Sequence, residues 1–518
     1  MTEHVVVDGS ALSPHQVVEV AAGRLEAVPG PHLAERLDPA RCVVERVMAT
    51  DDVVYGITTG FGALANTRIA PGEAADLQVA LLRSHAAGVG EPLDAGMVRA
   101  MLLLRARSLA QGHSGVRAIV VERILDLLRL DLLPVVPDRG SVGASGDLAP
   151  FAHLALPLIG EGEVWDRGQR RDAAAALADY GLEPLLLEPK EGLSLLNGTE
   201  GMLSFGLLGG AAAAELAVAA DIACALSVEA LLGSARPFQP RIHSLRPHPG
   251  QADSATNVST LLEGSRIEAS HRDDFSHAVQ DAYSLRCAPQ VHGAARDVFA
   301  FADEVYRREL GSVVDNPIVF PDAGPDGEGD VVSGGNFHGQ PLAFALDFTS
   351  IAAAELGSVS ERRTDRILDP DRSAGLPAFL ATRPGVNSGM MVAQYTAAAL
   401  VAETRVLSHP ASVESIPTSG SQEDHVSMGW GAGRKLRQVL PAVAQVLAVE
   451  IMCAVEGIGH RIPLKPGPGT AAVVQRVRDE VPPLDGDRPI GVDIEAVAAM
   501  VEGGELRVAA EAAVGSLR

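Results

Sequence analysis

The sequence predicts an all-α protein built from long helices, and three observations carry that expectation. Apolar residues recur at helical spacing in stretch after stretch, several of them near or above twenty residues long. Strand signals are few: Val5 to Val7, Val164-Trp165 and Val331-Val332. Aromatic residues make up only 4% of the chain, which disfavours a β-sandwich. There is no heptad array and no internal repeat, so the helices are expected to bury apolar stripes against one another in an elongated bundle. Such bundles finish their cores by association, and an oligomer is expected.

In chain order, residues 14–28 and 33–49 read as amphipathic helices separated by Pro29, Gly30 and Pro31. Tyr55-Gly56-Ile57-Thr58-Thr59-Gly60-Phe61-Gly62 is a loop, because three glycines interrupt any helical pattern. Helices are expected over 74–86, 95–111, 115–131 and, shorter and alanine-rich, 172–180. Leu195-Leu196-Asn197-Gly198-Thr199-Glu200 turns into a long helix beginning near Gly201. Pro237 to Pro249 is a connection. Further helices are expected over 270–280 and 289–311, around the motif Gln280-Asp281-Ala282-Tyr283-Ser284-Leu285-Arg286. The acidic, Gly-rich stretch from Pro321 to Asp330 is a surface loop. Gly334-Gly335-Asn336-Phe337-His338 opens a long alanine-rich helix reaching Arg363. Long helices follow over 388–407 and 430–457, the latter kinked or restarted by Pro441. Short helices complete the tail. The whole is read as one catalytic chain, with an N-terminal part over about 1–200 and a long-helix bundle and tail over 201–518.

The chain has 518 residues, 47% of them hydrophobic, which is ample for a large core. Lysine and arginine number 42 against 66 aspartates and glutamates, so the net charge of -24 argues against nucleic acid or an anionic membrane as a partner. Cys42, Cys224, Cys287 and Cys453 are far apart and form no CxxC pair, so neither a metal site nor a disulfide framework is expected, and a reducing, cytoplasmic setting fits. Met1-Thr2-Glu3-His4 lacks a basic region followed by a long apolar run, so no signal peptide is expected. The apolar tract Gly201 to Gly233 carries Glu215, Asp221 and Glu229, which would be costly in lipid, so a buried bundle helix is expected. Glu423-Asp424-His425 has no partner at helical ligand spacing, and no metal is expected.

The stretch with chemical content is Gly140-Ser141-Val142-Gly143-Ala144-Ser145-Gly146-Asp147-Leu148-Ala149-Pro150. It is nearly bare backbone between apolar segments, and Pro150 disfavours helix at Ala149. A plain turn is the bland reading. A phosphate loop lacks its Gly-Lys-Ser/Thr ending. A nucleophile elbow at Ser145 has Gly143 but meets Asp147 where its second glycine belongs. A fourth reading is self-chemistry. The unhindered nitrogen of Gly146 attacks the carbonyl carbon of Ala144, and Ser145 then loses water to leave an exocyclic methylene. The chain thereby makes its own electrophile.

This stretch resembles the self-processing loop of the aromatic amino acid ammonia-lyases, most nearly the histidine-specific branch, in which Ala-Ser-Gly becomes methylidene-imidazolone (MIO). The resemblance extends along most of the chain. It implies an all-α ammonia-lyase/aspartase-like bundle, a homotetramer with shared active sites, no external cofactor, and loss of ammonia from L-histidine to give trans-urocanate, the first step of histidine degradation. By resemblance Tyr55 takes the proton, Tyr283 lines the pocket, and Asn197 and Gln280 hold the electrophile and the amine. Arg286 matches the substrate carboxylate with two parallel hydrogen bonds, and Phe337 packs on the ring. His85, in Arg83-Ser84-His85-Ala86-Ala87-Gly88, and Glu423 match positions that read an imidazole. A phenyl ring would leave that carboxylate unpaired. Thr58 and Glu200 depart from many histidine-specific members, which have Asn and Gln there; a phenylalanine or tyrosine lyase or aminomutase is the alternative within the family. A non-catalytic helical scaffold and a serine hydrolase using Ser145 are the alternatives outside it. Without the resemblance, each tyrosine is a half-buried hydrogen-bonding residue, Arg286 a surface ion pair with Asp281 or a neighbour, Asn197-Gly198 a turn, Phe337 core, and Glu423 a solvated acid.

Overall fold

The computed structural model describes residues 4–50, 53–59, 69, 71–272, 279–324 and 327–518. The chain is mainly helical, as its periodicity predicts. It forms two compact units, each gathered from three stretches. The first comprises Met1–Leu208, Asp303–Leu346 and Pro410–Arg434; the second comprises Gly209–Ala302, Asp347–His409 and Lys435–Arg518. Four of the five boundaries fall inside helices: Glu200–Ala230, Ala288–Leu310, Gln340–Leu368 and Gly429–Gly459; the fifth, between His409 and Pro410, follows helix Met391–Leu407. Three of these are long and apolar enough to cross a membrane, yet 78%, 67% and 83% of their most apolar windows are buried within the protein.

In the first unit, strand His4–Val7 pairs in parallel with Glu26–Pro29. Helix Pro14–Ala21 therefore stops well short of residue 28: the alternation that buries Val5, Val7 and Ala27 outweighs the helical pattern after Ala21. Its start is a capping box, in which Ser13 accepts from Gln16 N while the Gln16 side chain reaches back to Ser13 N. Helices Leu33–Ala49, Ala74–His85, Ala95–Leu109, Ala118–Arg129 and Ala173–Asp179 lie within a few residues of their expected spans. The three expected strands are present, as His4–Val7, Glu163–Asp166 and Asp330–Val332. The last two are held in antiparallel pairs with Gln169–Asp172 and Ile318–Phe320. Pro150 does not exclude helix. Helix Leu148–Ala155 includes Ala149 and Pro150 in its first turn, where the missing proline N–H has no intrahelical partner to lose. The long helix expected from Gly334 begins only at Gln340 and runs to Leu368, because the glycine-rich residues before it form a turn.

In the second unit, the connection from Pro237 to Pro249 contains a helical turn, Pro240–His243, and leads into helix Pro249–Leu262, whose small and polar residues hide its pattern. The helix expected over 270–280 falls largely on residues 273–278, outside the described residues. Gly429–Gly459 is one helix with Pro441 inside it, neither restarted nor ended there.

A charged network is sealed in this unit. Arg363 and Glu450, each 0% exposed, form an ion pair. Ser227 donates to the same carboxylate (2.6 Å), and Arg363 also donates to the carbonyl of Ser284 (3.2 Å). Beside it, His292 meets Asp221 at 2.8 Å. Burial pushes the Asp221 carboxyl up, but Arg296, His292 and Ser254 outweigh it and hold it at about 2. Removing one member strands the other in an apolar surround, whereas removing both does not. Arg363→Met should therefore lose about 3–5 kcal/mol of stability, and Arg363→Met/Glu450→Leu should recover most of it. Thermal unfolding of the two variants beside the wild type checks this, and equal losses would contradict it.

Candidate active site

The bare loop is held against a second backbone segment. Gly146 forms a parallel bridge with Gly198. Asp147 N donates to the Gly198 carbonyl (3.0 Å), and Gly198 N to the Ser145 carbonyl (3.4 Å). Gly146 has φ of +76°, and a Cβ there would stand 2.0 Å from the Gly198 oxygen, so only glycine fits. Ser145 is half-buried, and its hydroxyl donates to Asn197 Oδ1 (2.9 Å). Asn197 is 2% exposed, and its Nδ2 donates to the Asn316 carbonyl (2.6 Å). The other side of the loop is met by the segment before helix Gly429–Gly459: Met428 N donates to the Val142 carbonyl (2.9 Å) and Ser427 Oγ to that of Gly143 (3.2 Å). Trp430, buried edge-on against Phe205, donates to the Asp138 carbonyl (2.8 Å).

Asp147, which breaks the elbow pattern, turns out to be the loop's anchor. Its carboxyl accepts from Ser141 Oγ (2.9 Å) and from Met202 N (2.8 Å) in the first turn of helix Glu200–Ala230. Burial raises its pKa to about 7, and those two hydrogen bonds only partly offset the effect. Arg105, Lys190 and Asp315 also escape a motif reading, although charged residues inside apolar runs, such as Arg105 after Met101-Leu102-Leu103-Leu104, are the signal that would find them.

Several other residues singled out from sequence lie in this same unit. Helix Ala74–His85 packs against helices Leu148–Ala155 and Glu191–Leu196, and Leu193 N donates to Gln78 Oε1 (3.2 Å). At the end of that helix His85 donates from Nδ1 to the Leu81 carbonyl (2.9 Å), which leaves Nε2 as the acceptor. Burial lowers the pKa of His85, and the Leu81 carbonyl and the Glu423 carboxylate oppose that. His85 and Glu423 are thus brought within electrostatic reach. Glu423 is oriented by Thr418, whose hydroxyl donates to its Oε2 (2.7 Å). Phe337 is half-buried in the turn before Gln340. That turn reaches the loop's neighbours, since a Cβ on Gly339 would lie 3.3 Å from Ser427 Oγ. His338 stacks on His425, their ring centroids 5.9 Å apart. Tyr55 is half-buried at the start of a buried turn, beside which Val54 N donates to Thr58 Oγ1 (2.8 Å). Ile57 anchors it in a cluster with Val44 and Val319. Gly60, Phe61 and Gly62 lie outside the described residues.

Gln280, Tyr283 and Arg286 belong to the second unit. Gln280 is exposed and Tyr283 is 71% exposed. Arg286 is not ion-paired to Asp281: its Nε donates to the Asp281 carbonyl (2.9 Å), its guanidinium lies 4.4 Å from the Tyr283 ring centroid, and the Asp281 carboxylate accepts from Ser234 N instead. Arg286 lines a cavity of about 630 Å³ with Arg236, Arg241 and Gln290. Among the described residues, no group of three or more His, Cys, Asp or Glu side chains is placed to hold a metal ion.

A sequence profile described as aromatic amino acid lyase matches residues 12–479. A histidine ammonia-lyase of Myxococcus xanthus is 50% identical over 509 residues, covering 98% of this chain and 99% of its own. Among solved structures, a tyrosine aminomutase from Streptomyces globisporus superposes with a TM-score of 0.93 at 39% identity, over 100% of both chains. A histidine ammonia-lyase from Trypanosoma cruzi superposes with a TM-score of 0.90 at 40% identity, over 99% of this chain and 96% of that one.

The raised pKa of Asp147 carries a sign. In the unfolded chain it ionises near pH 4, while in the fold it keeps its proton to about pH 7. Its contribution to stability therefore falls as pH rises through that window, by about 4 kcal/mol at most, and is constant above it. Melting temperatures of the wild type and Asp147→Asn should diverge between pH 4 and pH 7 and run parallel beyond, and a pH-independent difference would contradict this.

Proposed function

The chain belongs to the aromatic amino acid lyase family, and from that premise we propose that it removes ammonia from L-histidine without oxidation, giving trans-urocanate, as the first step of histidine degradation. What carries this reading is the 50% identity along nearly the whole chain to a histidine ammonia-lyase, with His85 and Glu423 in the unit that holds the Ala144-Ser145-Gly146 loop. A pocket carboxylate suits a side chain that offers ring N–H groups; a phenyl ring would offer it no donor.

The loop residues fit an MIO group. Gly146 bears nothing on Cα where Gly198 presses on it, and the Ser145 hydroxyl is aimed at Asn197. Once formed from Ala144, Ser145 and Gly146, that group supplies an electrophile, so no external cofactor is required. The rest falls to the chain's own side chains. Tyr55 takes the β-proton, Glu423 and His85 bind the imidazole, and Asn197 orients polar groups at the loop. Phe337 covers the apolar side.

Arg286 binds the substrate carboxylate, with Tyr283 and Gln280 beside it. All three sit in the second unit, with Gln280 and Tyr283 exposed. We assign them to a site completed by a second copy of the chain, in a homotetramer with shared active sites. The second unit also exposes Phe301, Phe348, Ile351, Val392 and Tyr395, an apolar surface that association would cover. A cytoplasmic location accords with four free cysteines and a net charge of -24.

Incubation with L-histidine, L-phenylalanine and L-tyrosine separates the readings within the family. Urocanate absorbance should rise fastest with histidine. Glu423→Gln should lower kcat/KM for histidine by about 1–3 kcal/mol, roughly 5- to 150-fold, and lower it less for the other two. Faster turnover of tyrosine, with a β-amino acid among the products, would move the assignment to an aminomutase.

A further inference from the structure

Asn197 is gripped from two directions by buried ion pairs that none of the roles above uses. On its side chain, Nδ2 donates to the Asn316 carbonyl and faces Asp315 Oδ1 (3.4 Å). Asp315 is held in turn by Lys190 Nζ (2.8 Å) and Ser194 Oγ (3.0 Å), with Lys190 0% and Asp315 2% exposed. With both amide hydrogens of Asn197 drawn that way, Oδ1 is the atom left to face Ser145. On its backbone, Arg105 Nη1 donates to the carbonyls of Asn197 (2.5 Å) and Ser194 (3.2 Å), while Nη2 donates to Glu200 Oε2 (2.8 Å). The same pair crowds Gly198: a Cβ there would stand 2.2 Å from Glu200 Oε2 and 2.7 Å from Arg105 Nη2. Arg105 also stacks on Phe151, in the helix that follows the loop, at 4.3 Å.

Buried ion pairs contribute little net stability, since apolar replacements of similar volume are often as stable or more so. Two of them converging on one asparagine is an arrangement for orientation. We propose that Arg105–Glu200 and Lys190–Asp315 are positioning residues for self-processing, fixing Asn197 and Gly198 as the platform on which the Ala144-Ser145-Gly146 ring closes. This rests on the MIO reading above.

The chemistry balances without an oxidant. Gly146 N bonds to the Ala144 carbonyl carbon. The carbonyl oxygen leaves as water with the amide hydrogens of Gly146 and Ser145, which leaves a C=N bond. Ser145 then loses Oγ with its own hydrogen and the Cα hydrogen as a second water, which creates the exocyclic double bond. The Asn197 contact sets the direction of the Cβ–Oγ bond that breaks in that last step, and the Gly198 carbonyl bounds the space in which Gly146 meets Ala144. A platform released when Arg105 loses the oxygen that holds it would slow ring closure even in a folded chain.

The test follows intact mass over time after synthesis of the full chain, with cooperative thermal unfolding as the check on folding and Ser145→Ala as the unprocessed control. Wild type should lose two waters. Glu200→Gln, which keeps an oxygen for Arg105, should process at the wild-type rate. Glu200→Ala and Arg105→Met/Glu200→Leu should process on the order of ten- to a hundredfold more slowly. The double variant leaves no charge unpaired, so it decides the matter if Glu200→Ala does not fold. Ring closure at the wild-type rate in either folded variant overturns the inference, because a purely structural role would lower the melting temperature and leave the mass deficit complete. A wild-type chain at its full mass overturns the MIO reading itself, whatever the variants do.

Discussion

Two stretches of backbone meet with nothing between them where Gly146 faces the carbonyl of Gly198, and much of the first unit is arranged around that contact. It needs a residue without a Cβ at Gly146, a rigid wall at Gly198, and an anchor that stops the loop from drifting. Asp147 provides the anchor by tying the loop to Ser141 on one side and to the start of helix Glu200–Ala230 on the other. The wall is rigid because helix Glu191–Leu196 runs directly into Asn197, and that helix is fixed against Gln78 and Asp315. A loop tied at so many points has little backbone freedom left to lose, which is the condition under which neighbouring amides react with each other.

Buried charge is the means by which both units hold particular atoms still. In the first unit, Arg105, Glu200, Lys190 and Asp315 surround Asn197. In the second, Arg363 and Glu450 tie the carbonyl of Ser284, within the turn Tyr283–Arg286, to the unit's interior. Each pair gives up hydration and recovers part of it through further hydrogen bonds, from Arg105 and Arg363 to backbone carbonyls and from Lys190 to Ser194 Oγ. An apolar core could match that stability, but it could not dictate which way an amide or a guanidinium points.

The residues that match the family's substrate contacts divide between the units. His85, Glu423, the loop and Asn197 are in the first; Arg286, Tyr283 and Gln280 are in the second. A division of this kind suits a reaction in which the electrophile must form before any substrate arrives. On the proposed reading, the first unit makes it and carries its own positioning groups, and the amino acid's charged end is left to the turn of Tyr283 and Arg286.

Much was legible from sequence alone. Helical spacing predicted the fold class and nearly all the long helices, since an apolar stripe in a helix must be covered whatever covers it. The Gly140 to Pro150 stretch marked itself out by its nearly bare backbone between apolar segments, and Asn197, which the structure places against Ser145, was among the residues named by resemblance. Only the tertiary structure decided what depends on distant partners. The pattern over 14–28 yields to strand pairing after Ala21, because a partner strand offers hydrogen bonds that no local window reveals. Pro150 is accepted in a helix because of where that helix starts. Arg286 turns to a carbonyl rather than to the carboxylate of Asp281, and Asp147 changes from a flaw in a motif to an anchor. Lys190 and Asp315, 125 positions apart, become one ion pair beneath Asn197. Spacing along a chain encodes which face is apolar; it does not encode which two buried charges will meet, because that depends on how every helix between them packs.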